Sequence, residues 1–141
     1  MATYLLKTEP GDYSYDDLLR EKRTCWSGVS NPQACKHMRA VRKGDEAFIY
    51  HTGNDKRIIG LCKILGSAYQ DPDAPGLTAA GEIKRPVFDI APLRKAKAPV
   101  TLAQVKADER FADFALVRQG RLSVMLVPAK LDTLLRKMAG L

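Results

Sequence analysis

The strongest constraint on the fold is that strand-like segments of uneven length alternate with turn residues and short helices. Two helix starts carry a capping box, Ser14-x-x-Asp17 and Thr101-x-x-Gln104, in which the paired side chains satisfy backbone N–H groups. A third helix start has Asn31 as its N-cap and a proline in its first turn. The pattern predicts an α+β domain with a small curved, mainly antiparallel sheet or barrel, flanked by short helices.

The predicted elements run along residues 1–141 without an internal repeat or a low-complexity linker, so we expect one domain. Apolar alternation predicts strands, and apolar residues at helical spacing predict helices. The predicted strands are 3–7, 46–51, 57–69 (bent at Gly60 or Gly66), 86–91 and 122–127. The predicted helices are 14–21, 31–41, a short helix from 101, a turn over 111–116, and 128–138.

An excess of basic residues favours a polyanionic partner. The formal net charge is +7, and most of the excess comes from residues 31–63 and 101–141. Nucleic acid is the commonest partner of such a surface. Within the second predicted helix and just after it, Lys36, Arg39, Arg42 and Lys43 form a candidate phosphate track, with Lys36, Arg39 and Lys43 on one helix face. A solvated helix face has the same composition and is the structural alternative.

Cysteine usage and hydropathy limit the cellular setting. The three cysteines, Cys25, Cys35 and Cys62, are odd in number and contain no CxxC pair, which argues against a disulfide framework and a zinc finger. No apolar run approaches a membrane span, and the N-terminal residues lack a signal-peptide pattern. We expect a reducing, cytoplasmic location, no membrane partner, and a monomer.

Catalytic and metal-binding functions find little support in residue spacing. Cys25 or Cys35 is a candidate nucleophile and His37 or His51 a candidate base, but no third orienting residue is evident. Two histidines and three scattered thiols give no metal-ligand spacing. We therefore expect no enzyme activity, no metal and no cofactor. A protein-interaction module would need an exposed apolar stripe, whereas the apolar helix faces are needed for the core.

The segment from Trp26 to Ala34 places the only tryptophan beside a glycine and directly before a helix start. An indole next to a flexible turn and a helix N-terminus can form one wall of a pocket, and we expect free backbone N–H groups nearby. Such a site suits a flat, polar ligand such as a nucleobase. The structural alternatives are a core tryptophan and an Asn31 that serves only as the N-cap.

Four motifs, in order along nearly the whole chain, resemble those of the EVE domain. They are Tyr4-Leu5-Leu6-Lys7-Thr8-Glu9-Pro10 with Tyr13-Ser14, the segment from Trp26 to Ala34, Lys43-Gly44-Asp45 with Phe48-Ile49-Tyr50-His51, and the segment from Leu116 to Met125. The EVE family belongs to the PUA-like superfamily. The resemblance implies a PUA-like barrel flanked by helices, and a pocket that accepts a modified base. It implies a reader of modified cytosine in DNA, with RNA as the open alternative.

The resemblance also implies a base-binding pocket in which Trp26 stacks on the base. Asn31 and Ser123 would read polar edges, and Glu9 would accept a hydrogen bond from an exocyclic amine. Arg121 would contact phosphate or stack on a base. The full candidate set is Trp26, Asn31, Lys7, Thr8, Glu9, Ser14, Val29, Arg121, Leu122 and Ser123. Two departures from the family pattern fall in these motifs, Ser30 in place of arginine and Gly120 in place of serine.

Overall fold

The computed structural model describes all of residues 1–141, and its strands form one sheet in which one short strand lies outside the main strand order. The strands are β1 Thr3–Thr8, β2 Thr24–Trp26, β3 Glu46–His51, β4 Arg57–Ile64, β5 Tyr69–Gln70, β6 Pro86–Thr101 and β7 Val124–Val127. Their order across the sheet is β2-β6-β4-β3-β1-β7, with β5 paired to β6.

Five α-helices and one 3₁₀ turn surround the sheet. They are α1 Tyr15–Glu21, α2 Pro32–Arg39, α3 Leu102–Ala107, the 3₁₀ turn Glu109–Phe111, α4 Ala115–Arg118 and α5 Ala129–Ala139. Both predicted capping boxes are present, at Ser14 and at Thr101. No helix is long and apolar enough to cross a membrane.

The sheet is mixed and curled, and the chain has the predicted α+β, PUA-like fold, with strands that are mainly antiparallel. The parallel pair is β1 with β3, and α1, β2 and α2 supply the long crossover that a parallel connection requires. Strand β6 pairs with β4 along most of its length, with two register shifts, and bulges of this kind bend a strand. The core is one cluster of 31 buried residues.

Two strand predictions were wrong at one end by more than two residues, and those over 3–7 and 122–127 differ from β1 and β7 by one and two residues. The strand predicted over 57–69 ends at Ile64, and its irregularity lies at Gly60, where the Tyr15 ring packs so closely that a Cβ would lie 2.7 Å from the ring carbon Cζ. The strand predicted over 86–91 continues to Thr101, because β6 pairs successively with several neighbours and tertiary pairing overrides the prolines within it. Strand β2 was not predicted at all.

Helix α2 is shorter than predicted. It ends at Arg39, with Ala40 as its C-cap, so Arg42 and Lys43 lie in the turn before β3. The helical spacing that placed Lys43 on the face of Lys36 therefore does not apply. The helix predicted over 111–116 was also wrong in position, because a 3₁₀ turn ends at Phe111 and α4 begins at Ala115.

Candidate nucleic-acid interface

A cavity lies where β1, β2 and the segment before α2 meet. Its volume is about 540 Å³, within the range of small-molecule sites. The residues that line it come from four separate stretches of the chain. They are Lys7, Thr8, Glu9, Asp12, Tyr13, Thr24, Cys25, Trp26, Ser27, Gly28, Val29, Ser30, Asn31 and Ser123. We call this the larger cavity.

Trp26 belongs both to this cavity and to the core. It is the last residue of β2, paired with Phe88 of β6, and only 8% of its surface is exposed. Tyr13 meets the indole edge to face, with ring centroids 6.4 Å apart and planes at 80°. The next residues turn away through Gly28, whose φ of +78° suits glycine. The indole is therefore a fixed wall, held by strand pairing on one side and Tyr13 on another.

Asn31 divides its amide between structure and cavity. Its Oδ1 accepts hydrogen bonds from the Gln33 and Ala34 N–H groups, at 2.9 and 3.0 Å. The N–H groups of the helix start itself are not free, because the cap satisfies them and Cys35 N–H donates to the Asn31 carbonyl, whereas those of Ser27 to Asn31 have no partner within the chain. The amide nitrogen of Asn31 makes no bond within the chain, and it leaves two donors at the cavity edge.

The end of β1 and the residue after it supply three polar side chains to the cavity wall, those of Lys7, Thr8 and Glu9. The Thr8 hydroxyl donates to the Tyr13 carbonyl at 2.7 Å, which holds the turn that carries Tyr13. The Glu9 carboxylate accepts from Gly11 N–H at 3.2 Å and from the Thr52 hydroxyl at 3.5 Å. The carboxylate is thus fixed at the rim, with acceptor capacity remaining for a ligand amine.

Lys7 differs from its neighbours because its side chain is half-buried. Its Nζ donates to the Gly120 carbonyl at 3.0 Å and lies 5.8 Å from the centre of the Tyr50 ring. Burial lowers the pKa of the Lys7 ammonium from its ordinary value. The same lysine lines a second, smaller cavity, so it is shared by two sites.

Three members of the predicted base-binding set do not line the larger cavity. Ser14 caps α1, where its hydroxyl accepts from Asp17 N–H at 3.1 Å. Leu122 is buried in the core. Arg121 is exposed, between Gly120, which reaches the smaller cavity, and Ser123, which reaches the larger one. The other seven line this cavity together: Trp26, Asn31, Lys7, Thr8, Glu9, Val29 and Ser123.

The predicted phosphate track leads away from the larger cavity. Helix α2 starts at the rim of the larger cavity, but Arg42 and Lys43 lie just before β3. The first residue of β3 pairs with Thr3, whereas the cavity residue Lys7 pairs with Tyr50, near the other end of β3. Four residues of strand separate the two ends by about 13 Å. Arg39 is partly buried, and its Nε donates to the Ile83 carbonyl at 2.6 Å. Lys36, Arg42 and Lys43 are exposed.

Several lining residues were missed at the sequence level. Tyr13 belongs to the first motif but is not among the candidate pocket residues, yet it is the aromatic neighbour of Trp26. Thr24 and Cys25 reach the cavity because they lie on the unpredicted strand β2. The sequence signal that could have indicated this wall is the polar residue on either side of Trp26, Cys25 and Ser27. Ser30, one departure from the family pattern, also lines this cavity.

Cys25 lines the larger cavity and accepts a hydrogen bond from the Tyr69 hydroxyl at 3.4 Å, whereas the other three candidate catalytic residues lie outside this cavity. His51 is buried, its Nε2 accepts from Tyr15 N–H at 3.1 Å, and its Nδ1 therefore donates to Asp55 at 2.9 Å. Cys35 is buried and its thiol donates to the Val29 carbonyl. Burial and Lys36 lower the pKa of His37. No three His, Cys, Asp or Glu side chains are grouped as metal ligands.

Comparison with known proteins gives one family. The model of the EVE domain matches residues 2–138. The Rpa0253 protein of Rhodopseudomonas palustris has a similar solved structure, with 42% identity, coverage of 99% of this chain and 94% of that one, and a TM-score of 0.88. The human THYN1 protein, solved in complex with DNA containing 5-methylcytosine, has 27% identity, 98% coverage of each chain and a TM-score of 0.85.

The curated relatives are longer than this chain. Human thymocyte nuclear protein 1 is 39% identical over 80 residues, which cover 48% of this chain and 36% of that protein. The match thus spans about a third of that relative's length.

Proposed function

This chain belongs to the EVE domain family, and we propose that it is a nucleic-acid-binding module that holds one modified base, modified cytosine in DNA first of all, in the larger cavity. The observation that carries the proposal is the 540 Å³ cavity with Trp26 in its wall, in a fold shared with a protein solved on 5-methylcytosine DNA. We propose that residues 1–141 act as one domain and without catalysis.

A flat base suits the walls of this cavity. The Trp26 indole offers a stacking surface, and one base–aromatic stack contributes about 1–3 kcal/mol. The Asn31 amide donates to a ring nitrogen or carbonyl, and Glu9 accepts from an exocyclic amine, as an acid does from the amino group of cytosine. Ser123 adds a hydroxyl to the lining. The polar groups that remain unbonded in the cavity thus match the edge of a base.

Entry of the base requires that it leave its stack. A single base is recognised on its Watson–Crick edge only when it is splayed out or flipped, at a cost of a few kcal/mol in a duplex. The cavity is an opening at the surface between β1 and β2, so a nucleotide can insert its base while its sugar and phosphates stay outside. Exposed Lys36, Arg42, Lys43 and Arg121 would contact phosphates farther along the strand.

The test is equilibrium binding to fluorescein-labelled oligonucleotides of one sequence, followed by anisotropy. The set contains cytosine or 5-methylcytosine at one position, as single-stranded DNA, duplex DNA and RNA. We expect tighter binding of the modified DNA at equal salt concentration. Equal affinity for the cytosine and 5-methylcytosine members in every set would contradict modified-cytosine reading. A preference seen only in RNA would assign the module to RNA.

A further inference from the structure

A second cavity adjoins the first and has a different character. Its volume is about 200 Å³, and it lies between the end of β3, the 52–56 turn, the C-terminal end of α3 and the loop after α4. Three lysines line it, Lys7, Lys56 and Lys106, and no carboxylate does. We call this the smaller cavity.

The three lysines have no counter-charge within the chain. None forms an ion pair, and their one side-chain bond is from Lys7 to the Gly120 carbonyl. Two carboxylates lie nearby, but both have other partners. Asp55 binds His51 and Arg57, at 2.9 and 2.5 Å, and Glu9 is held by Gly11 and Thr52. Three like charges therefore converge on a concave site without an ion-pair partner, and an anion would supply one.

The backbone holds one of these lysines in an unfavourable conformation. Lys56 has φ of +46°, a left-handed conformation that residues other than glycine rarely adopt. The Lys56 carbonyl accepts from Leu102 N–H at 2.8 Å, and this bond ties the turn to the start of α3, the helix that carries Lys106. Strained residues of this kind gather at ligand sites. Here the strain places an ammonium group at the cavity.

Lys7 connects the two cavities. Its side chain lines both, and Gly120 and Ser123, three residues apart, reach one cavity each. A ligand with its base in the larger cavity can therefore place its sugar–phosphate chain beside Lys7. Lysine binds phosphate as a point charge, without the geometry that arginine needs for its forked contacts.

We propose that the smaller cavity binds a backbone phosphate of the nucleotide whose base occupies the larger cavity, or of its immediate neighbour. The inference rests on the proposed function for its ligand. It assigns Lys7, Lys56 and Lys106 as the local phosphate contacts. Its chemistry is that of a phosphodiester, and inorganic phosphate shares it.

The test compares two double variants of equal net charge in the full chain. K56Q/K106Q removes two lysines of the smaller cavity. K130Q/K137Q removes two exposed lysines of α5 that line neither cavity. The probe is a single-stranded oligonucleotide with one 5-methylcytosine, titrated over a range of salt concentrations. We expect K56Q/K106Q to lower the slope of log affinity against log salt by about 1.4, because each contact to a single strand contributes about 0.7. The control should change it far less.

The two proposals fail in different ways. If the wild type shows no preference for the modified base, the proposed function is contradicted. If the slope of log affinity against log salt is equal in the two double variants, the phosphate assignment is overturned. K56G separates a loss of binding from a loss of stability, because glycine adopts the left-handed conformation at this position without strain. It should melt no lower than the wild type and still bind more weakly.

A titration with inorganic phosphate at constant ionic strength, followed by amide NMR shifts, separates the two phosphate sources. Shifts around Lys56, Lys106 and Gly120 that disappear in K56Q/K106Q, together with the reduced oligonucleotide slope, support the proposal. The same shifts with an unchanged oligonucleotide slope would make the cavity a small-anion site and overturn the assignment to a nucleic-acid backbone.

Discussion

The larger and smaller cavities share Lys7 but differ in charge and in lining. The larger one is more than twice the volume of the smaller, about 540 against 200 Å³, and its charged residues are one lysine and two carboxylates. The smaller has three lysines and no carboxylate. Aromatic and amide groups face the first, and ammonium groups face the second. Adjacent sites can thus divide recognition, one reading a base and the other holding its backbone.

The difference has a consequence for how binding depends on conditions. Base contacts carry sequence information and depend weakly on salt, whereas phosphate contacts carry none and weaken as salt rises. Substitutions in the larger cavity should change the preference between bases. Substitutions in the smaller cavity should change the affinity for all strands alike. Each prediction below separates these two effects.

The largest effect is expected at Trp26. Trp26→Ala removes the stacking wall and should weaken binding of the modified strand by about 5- to 150-fold, the equivalent of about 1–3 kcal/mol. Because the residue is 92% covered, the same change should lower the free energy of unfolding by about 3–5 kcal/mol. Anisotropy titration and thermal denaturation measure the two losses.

Trp26→Phe separates the binding effect from the folding effect. It keeps an aromatic wall and most of the packing, so it should fold and retain a weakened preference. If Trp26→Phe and Trp26→Ala both discriminate the modified base as the wild type does, the larger cavity is not where the base is read.

A smaller effect is expected at Asn31, where structure and binding use different atoms. Asn31→Ser keeps an oxygen to cap α2 and removes the amide donors, so melting should change little while the base preference falls by about 1 kcal/mol. Asn31→Ala should lose both, with about 0.5–2 kcal/mol of stability. Equal base preference in Asn31→Ser and the wild type would leave Asn31 as a helix cap alone.

The smallest effect is a pH dependence set by Lys7. Burial lowers the pKa of Lys7, so this residue loses its charge at a lower pH than an exposed lysine does. Affinity should therefore fall as the pH rises from 7 toward about 9.5, for modified and unmodified strands alike. Lys7→Arg keeps the charge and should flatten this decline. A decline as steep in Lys7→Arg would assign it to other groups.

The sign of the stability effect is opposite. In the window below the ordinary lysine pKa of 10.5, the unfolded chain binds more protons at this position than the folded chain. The contribution of Lys7 to the free energy of unfolding therefore rises with pH, while its contribution to phosphate binding falls. Thermal denaturation of wild type and Lys7→Arg over the same pH range checks this separation.

Local signals predicted much of the fold. Capping boxes predicted the starts of α1 and α3, because the side chains that define each motif also form the capping hydrogen bonds. Apolar alternation predicted both ends of β3. Strand β2 and the second half of β6 were not predicted, because the strands with which they pair are distant in the sequence. Thr24–Trp26 is too short for a periodicity, and β6 carries exposed lysines and prolines at positions where only neighbouring strands make it extended.

The site was predictable where motifs reached it. Seven of the ten candidate pocket residues line the larger cavity, because the ends of β1 and β2 and the turn before α2 all carry motif residues. The smaller cavity was not predicted. Lys7, Lys56 and Lys106 are far apart in the sequence, and only the pairing of β1 with β3 and the bond from Leu102 to Lys56 bring them together. The helical spacing of α2 favoured other cations that the structure places farther away.

The most direct test of the central claim is titration of the intrinsic fluorescence of Trp26, the only tryptophan in the chain. The titrants are two single-stranded DNA oligonucleotides that differ by one methyl group on one cytosine. Stacking of a base on the indole predicts saturable quenching, at lower concentration for the methylated strand. An unchanged spectrum under conditions where anisotropy shows binding would contradict the account, because the strand would then bind without placing a base against Trp26.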